Sequence, residues 1–111
     1  MAKSFNDLAY DLRDFIVDKH ANYRGLKHMS MQRYNNLTIS MNSRRYGQPH
    51  VIVKIGISEG VFSFPYVNKM DGGLGMDERY VMQWVGNDMV IQSLNEHWKT
   101  IKLQEMDQDD K

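Results

Sequence analysis

The chain has 111 residues with 14 basic and 14 acidic side chains, a pI near 6.9 and no cysteine. Zero net charge removes any bulk attraction to nucleic acid or an anionic membrane, and the missing thiols exclude disulfides, thiol catalysis and thiolate metal sites. The length sets one domain or one subunit of a small oligomer, and the start MAKSFNDLAY lacks an apolar h-region, so a cytoplasmic protein without a membrane partner is expected.

Ser4 is a good N-cap with Asp7 at the capping-box position. Phe5, Leu8, Leu12, Phe15 and Ile16 then form an apolar stripe at helical period, which predicts a helix from Phe5 to about Lys19. Beside that stripe runs a row of four carboxylates. Asp7, Asp11, Asp14 and Asp18 recur at spacings of four, three and four, so they line up on one helix face. Like charges so placed cost roughly 0.2–0.5 kcal/mol per pair. Only Asp7 has a basic residue three or four positions away, Lys3. The row needs an answer from outside its own helix.

Residues 20–34 are less regular, and Gly25 interrupts any helix there. NLTISMN, 36–42, alternates apolar and polar side chains and predicts a half-buried strand. SRRYGQP is a turn. HVIVKIGIS, 50–58, is rich in β-branched residues and predicts a central strand. A tight turn at Ser58-Glu59-Gly60 leads into VFSFPYV, 61–67, where Pro65 argues for an edge position. NKMDGGLGM, 68–76, reads as a mobile connector. The glycines invite a phosphate-loop reading, but Asp71, Asp77 and Glu78 surround it with negative charge and no Lys follows.

Asp77 then caps a helix through ERYVMQWV, and after GND, Asp88 starts another that carries Ile91, Leu94 and Trp98. Trp84 and Trp98 read as core. Residues 104–111 form an acidic tail. The predicted fold is a single α+β domain over 1–103 in the order α-β-β-β-α-α, with a three-stranded antiparallel sheet and helices on one face.

The neutral total conceals a strong layout. Residues 19–58 hold seven basic side chains, Lys19, Arg24, Lys27, Arg33, Arg44, Arg45 and Lys54, and no acidic one. Residues 59–111 hold ten acidic and five basic side chains. Arg24, Lys27, Arg33, Arg44, Arg45 and Tyr46 therefore form a candidate nucleic-acid surface, where cations neutralise phosphates and the tyrosine stacks on bases. The same block could instead pack against the aspartate row and neutralise it.

No nucleophile motif occurs, and His20, His28, His50 and His97 show no metal-ligand spacing. Glu96 and His97 are adjacent on a helix and point to different faces. No catalytic residue, metal or cofactor is expected.

The order helix, three strands, helix resembles double-stranded-RNA-binding domains, and GQPH, 47–50, falls in the strand one–two turn where that family carries a Gly-Pro-x-His signature. The last helix starts MDERY, where that family has a basic stretch. The full order, with NDL opening helix one and TIKLQE in the last helix, is similar to small phage-encoded anti-CRISPR proteins of type II-A. That resemblance implies a non-enzymatic inhibitor that presents acidic surface to a Cas nuclease where DNA would bind. On this reading Asp7, Asp11, Asp14 and Asp18 meet a protein partner with a basic surface, and a homodimer is possible. The alternative is a nucleic-acid-binding module using the basic middle.

Overall fold

The apolar stripe produces its helix. In the computed structural model, α1 spans Phe5–Arg24. The structure describes residues 3–24, 34 and 36–109, except for the side chains of 20–24 and 106–109. Ser4 opens α1: its Oγ accepts from the Asp7 N–H at 3.1 Å, and its carbonyl accepts from the Leu8 N–H at 2.9 Å. Leu8, Leu12 and Ile16 are essentially inaccessible. The helix runs five residues past Lys19 because no breaker precedes Gly25.

Four strands follow: β1 Thr38–Ser40, β2 His50–Ile55, β3 Ser58–Ser63 and β4 Lys69–Gly73. They form one antiparallel sheet in chain order, so the element order is α-β-β-β-β-α-α and the expected three-stranded sheet is corrected. The additional strand is the segment read as a mobile connector. Its glycines permit close backbone approach. Gly72 has φ +67° and is the cross-strand partner of Gly60, and a Cβ there would stand 2.1 Å from the Glu59 carbonyl oxygen. A strand of Lys, Met, Asp and two glycines pairs through its backbone, which residue propensity does not reveal.

The β2–β3 turn is also earlier than expected. Ile55 pairs with Ser58 across Gly56-Ile57, with Gly56 at φ +61°. Glycine at the first central position is the requirement of a type II′ hairpin turn. β3 is consequently an interior strand. Pro65 lies beyond its end, in the β3–β4 connection after a cis peptide bond, and takes no ladder position, which is why the edge inference fails.

The front of the sheet contributes Ile39, Val51, Val53, Ile55 and Phe62 to one continuous core with Leu8, Leu12 and Ile16. On the back, Ser40, Ile52, Val61 and Asp71 form one cross-strand row. Val61 is only 3% exposed although it lies outside the main core. Tyr46 lies on this face, with its ring 5.0 Å from the His50 ring on β2 and its hydroxyl donating to Asp71 on β4 at 2.8 Å. The tyrosine thus crosses β3 on the back face.

A 3-10 turn, Gly75–Asp77, leads into α2, Glu78–Val85, and α3 spans Asp88–Asp109. Asp77 makes no side-chain cap bond. It is buried instead, and its Oδ1 accepts the Tyr34 hydroxyl at 2.7 Å. Asn87, rather than Asp88, caps α3: its Oδ1 accepts the Met89 N–H at 3.0 Å. The helix carries on through KTIKL and includes the backbone of residues 104–109. No helix among the described residues is long and apolar enough to cross a membrane.

The Gly72 geometry makes a direct prediction. Gly72→Ala combines a backbone clash with an unfavourable φ and should destabilise the protein by about 1–3 kcal/mol. Gly47→Ala, which meets open space, should stay within about 0.5 kcal/mol of wild type. Urea unfolding of both variants checks the difference.

Candidate binding groove between α1 and α3

The rotation of α1 that buries Leu8 and Leu12 turns the carboxylate row toward the start of α3. Asp11, Asp14 and Asp18, with Lys3 beside them, line a groove of about 530 Å³ with Leu8, Phe15, Trp84 and Val90, and Asn87, Met89, Gln92 and Ser93 form its other wall. Its floor is apolar and one wall is acidic. Met89 stands 74% exposed on the rim.

Asp11 belongs to both the groove and the scaffold. Its Oδ2 accepts the Trp84 indole N–H at 2.9 Å, and Lys3 Nζ lies 3.7 Å from its Oδ1. A buried indole needs such an acceptor. The Lys3 pair is about half exposed on both sides, so it is worth at most about 1 kcal/mol. Asp7 does not join the groove: it sits in the first turn of α1, where the helix dipole favours a carboxylate. Asp14 and Asp18 are exposed on the wall. Trp84 is core, as expected, at 2% exposure.

A second contact joins α1 and α3. The His97 Nε2–H donates to the Lys3 carbonyl at 2.5 Å, and its ring stacks on Phe5 at 4.2 Å and 18°. His97 therefore pins the start of α1 to the middle of α3. Glu96 offers its carbonyl to the Thr100 hydroxyl at 2.9 Å.

Of the basic candidates, Arg44, Arg45 and Tyr46 share the β1–β2 connection. Lys27, Arg33 and the side chain of Arg24 lie outside the described residues. The expected outward reach holds for Arg45, whose side chain is 68% exposed, but Tyr46 folds back over the sheet. Two carboxylates that meet this loop come from β4 and α3. Arg45 Nη2 lies 3.6 Å from Asp71 Oδ2, and the Ser43 hydroxyl donates to Glu105 Oε1 at 2.5 Å. The hydroxyl of Tyr46 and the N–H of Gly72 hold Asp71 below the usual carboxylate range, and Ser43, then Lys102 and Arg44, do the same for Glu105. The Asp71 bond pushes the Tyr46 phenol up.

His50 sits beneath this loop, fully buried. Its Nδ1–H donates to the Gln48 carbonyl and its Nε2 accepts the Asn42 N–H, both at 2.9 Å. Trp98 meets the ring edge-on at 5.3 Å. Neither this lock nor the wall supplied by α3 is visible in the residue pattern, because both depend on which faces pack together. Among the described residues, no group of three or more His, Asp or Glu is placed to hold a metal ion.

Fold and groove together define a small α+β protein with one acidic cleft between helices. Comparison with protein-family models, with curated proteins and with solved structures finds no match.

Burial lowers the His50 pKa below its ordinary 6.5, against the opposing effect of the Gln48 carbonyl. As pH falls through about 6.5, the unfolded chain takes up this proton and the folded ring does not, so stability is full above that value and declines toward the lower folded pKa. The slope of unfolding free energy between about pH 6.5 and about pH 5 should shrink in His50→Gln, which carries no titrating ring. Denaturant titrations across that range test this.

Proposed function

We propose that the protein is a small non-enzymatic binding protein that captures a basic partner protein in the groove between α1 and α3. One observation carries this reading: Asp11, Asp14 and Asp18 line a single groove whose floor is apolar. A solvated charge row needs no such floor. An apolar floor beside carboxylates suits a partner segment that offers both Lys or Arg and an aliphatic or aromatic side chain. The locks at Trp84 and His97 fix both walls, so little ordering cost falls on this side of the complex.

The chemistry of the groove fits an inhibitor or regulator that covers a cationic surface, as in a phage or mobile-element protein acting on a nucleic-acid-handling enzyme. Nuclease inhibition is then the first activity to assay. Acidic surface of this kind gives steering and specificity more than raw affinity. The basic loop at Arg44 and Arg45 favours nucleic acid less, because Asp71 and Glu105 already bring carboxylates to it.

The test is partner capture and fluorescence anisotropy with a labelled amphipathic Lys/Arg helix. Asp14→Asn with Asp18→Asn should weaken binding at least about fivefold, mostly through slower association, with the loss fading at high salt. Asp11 is left intact because it also serves Trp84. Equal binding by the double variant at low salt would remove the reading.

A further inference from the structure

The β1–β2 connection, residues 41–49, is gathered into a lobe whose neck is closed by one side chain. Asn42 lies on its outgoing limb and Gln48 on its returning limb. His50 reaches both: its Nε2 accepts the Asn42 N–H and its Nδ1–H donates to the Gln48 carbonyl, each at 2.9 Å. This pair of bonds admits one form of the ring, the neutral tautomer with the proton on Nδ1. Beyond the neck, the Asn42 carbonyl accepts the Arg45 N–H at 3.2 Å and the Tyr46 N–H at 3.0 Å. The turn that carries Arg44, Arg45 and Tyr46 is therefore built on the residue that His50 holds. Further ties reach Asp71 from Tyr46 and Arg45 at the surface, and Glu105 from Ser43. Asn42, Arg44, Arg45, Gly47 and Gln48 are all exposed. A segment with so little buried apolar surface opens at lower cost than the sheet beneath it.

We propose that His50 is an acid-sensitive clasp: protonation of its ring releases the Asn42 limb of this lobe while the sheet stays folded. Imidazolium donates from both nitrogens. It can keep the Gln48 carbonyl, but its Nε2–H then faces the Asn42 N–H, donor against donor. The ring is fully buried, so a positive charge on it lacks water, and opening the limb admits water to it. The groups that face the ring do not supply the missing counter-charge. β3 places Ser63 opposite it. From the lobe comes the Tyr46 phenol, held by Asp71 of β4 with Arg45 beside it. From α3 comes the Trp98 ring, with Lys102 5.8 Å from its centroid and Glu105 near both that lysine and Arg44. Both imidazole nitrogens are taken by backbone groups, so neither carboxylate bonds to the ring. Asp71 and Glu105 are held below the usual carboxylate range, so they keep their charge across the range in which histidine ordinarily titrates. Near neutrality Arg44, Arg45 and Tyr46 are thus presented in the closed arrangement, and under acid in an open one.

The test is nitrogen-15 NMR of the whole protein, titrated from about pH 7.5 to about pH 4.5, reading the His50 ring nitrogens and the backbone amides together. Near neutrality the ring should show the Nδ1–H tautomer. As it takes up its proton, the Asn42, Arg45 and Tyr46 amides should move with the same midpoint. Hydrogen-exchange protection at Asn42 should fall at least about tenfold there, while the amides of the β2–β3 ladder keep theirs. His50→Gln should abolish that midpoint. Tyr46→Phe keeps an aromatic ring beside His50 but loses the bond to Asp71; it weakens the closed lobe and should raise the His50 midpoint through linkage. A buried histidine without a clasping role would not respond to the loss of that hydroxyl. Overturning results are ring protonation that leaves the Asn42 amide in place, no ring protonation short of losing the β2–β3 ladder, an Asn42 transition that persists in His50→Gln, or an unchanged His50 midpoint in Tyr46→Phe.

Discussion

The burial of Leu8, Leu12 and Ile16 against the front of the sheet is the constraint on which the rest depends. Each such side chain contributes about 1.5–3 kcal/mol when fully buried, far more than any pair of surface charges. That burial fixes the rotation of α1 about its axis. With rotation fixed, the two remaining flanks have no freedom. Asp11, Asp14 and Asp18 must face the start of α3, and Asn6, Tyr10 and Arg13 must face the chain at Tyr34 and Leu37. Repulsion within the aspartate row, a few tenths of a kcal/mol per pair, is too small to turn the helix. The acidic groove is thus a by-product of the core in position, although not in composition.

The same logic explains where opposite charges meet. The basic middle and the acidic C-terminal half come together through the β1–β2 connection, which is folded over the back of the sheet. Tyr46 carries that fold: its ring lies against His50 and its hydroxyl reaches Asp71. Arg45 follows its neighbour toward the same carboxylate. The Arg45–Asp71 ion pair is exposed and adds little stability. Asp11 of α1 is answered by the Trp84 indole and by Lys3.

Much of this was legible in the sequence, and the gaps have physical causes. The stripe of α1, the strand at 50–55 and the helices around Trp84 and Trp98 follow from hydrophobic period alone. β4 does not, because Lys69–Gly73 is stabilised by backbone pairing at a glycine contact, and that leaves no side-chain pattern. Asp77 reads as a cap by position, yet the burial of Tyr34 draws its carboxylate inward. For the groove, Asp11, Asp14 and Asp18 were visible as a row. Trp84 on α2 and Met89 and Gln92 on α3 were not, since the adjacency of these helices to α1 is a tertiary fact.

α3 ties these regions into one object. Asn87 starts it beside the groove, His97 holds the first residues of α1, Trp98 meets His50, and Glu105 takes the Ser43 hydroxyl. These contacts fall along about 27 Å of helix. They differ in kind along that length. At the groove end the locks are an indole–carboxylate bond and a stacked ring, in which no described contact needs a neutral imidazole acceptor. At the loop end the lock is an imidazole that accepts a backbone N–H, and protonation converts that acceptor into a donor. Protonation of His50 therefore bears on the Arg44–Arg45–Tyr46 loop, where the Asn42 N–H would lose its acceptor. The two ends of one helix are thus held by different chemistry, an imidazole acceptor at the loop end and an indole–carboxylate bond with a stacked ring at the groove end.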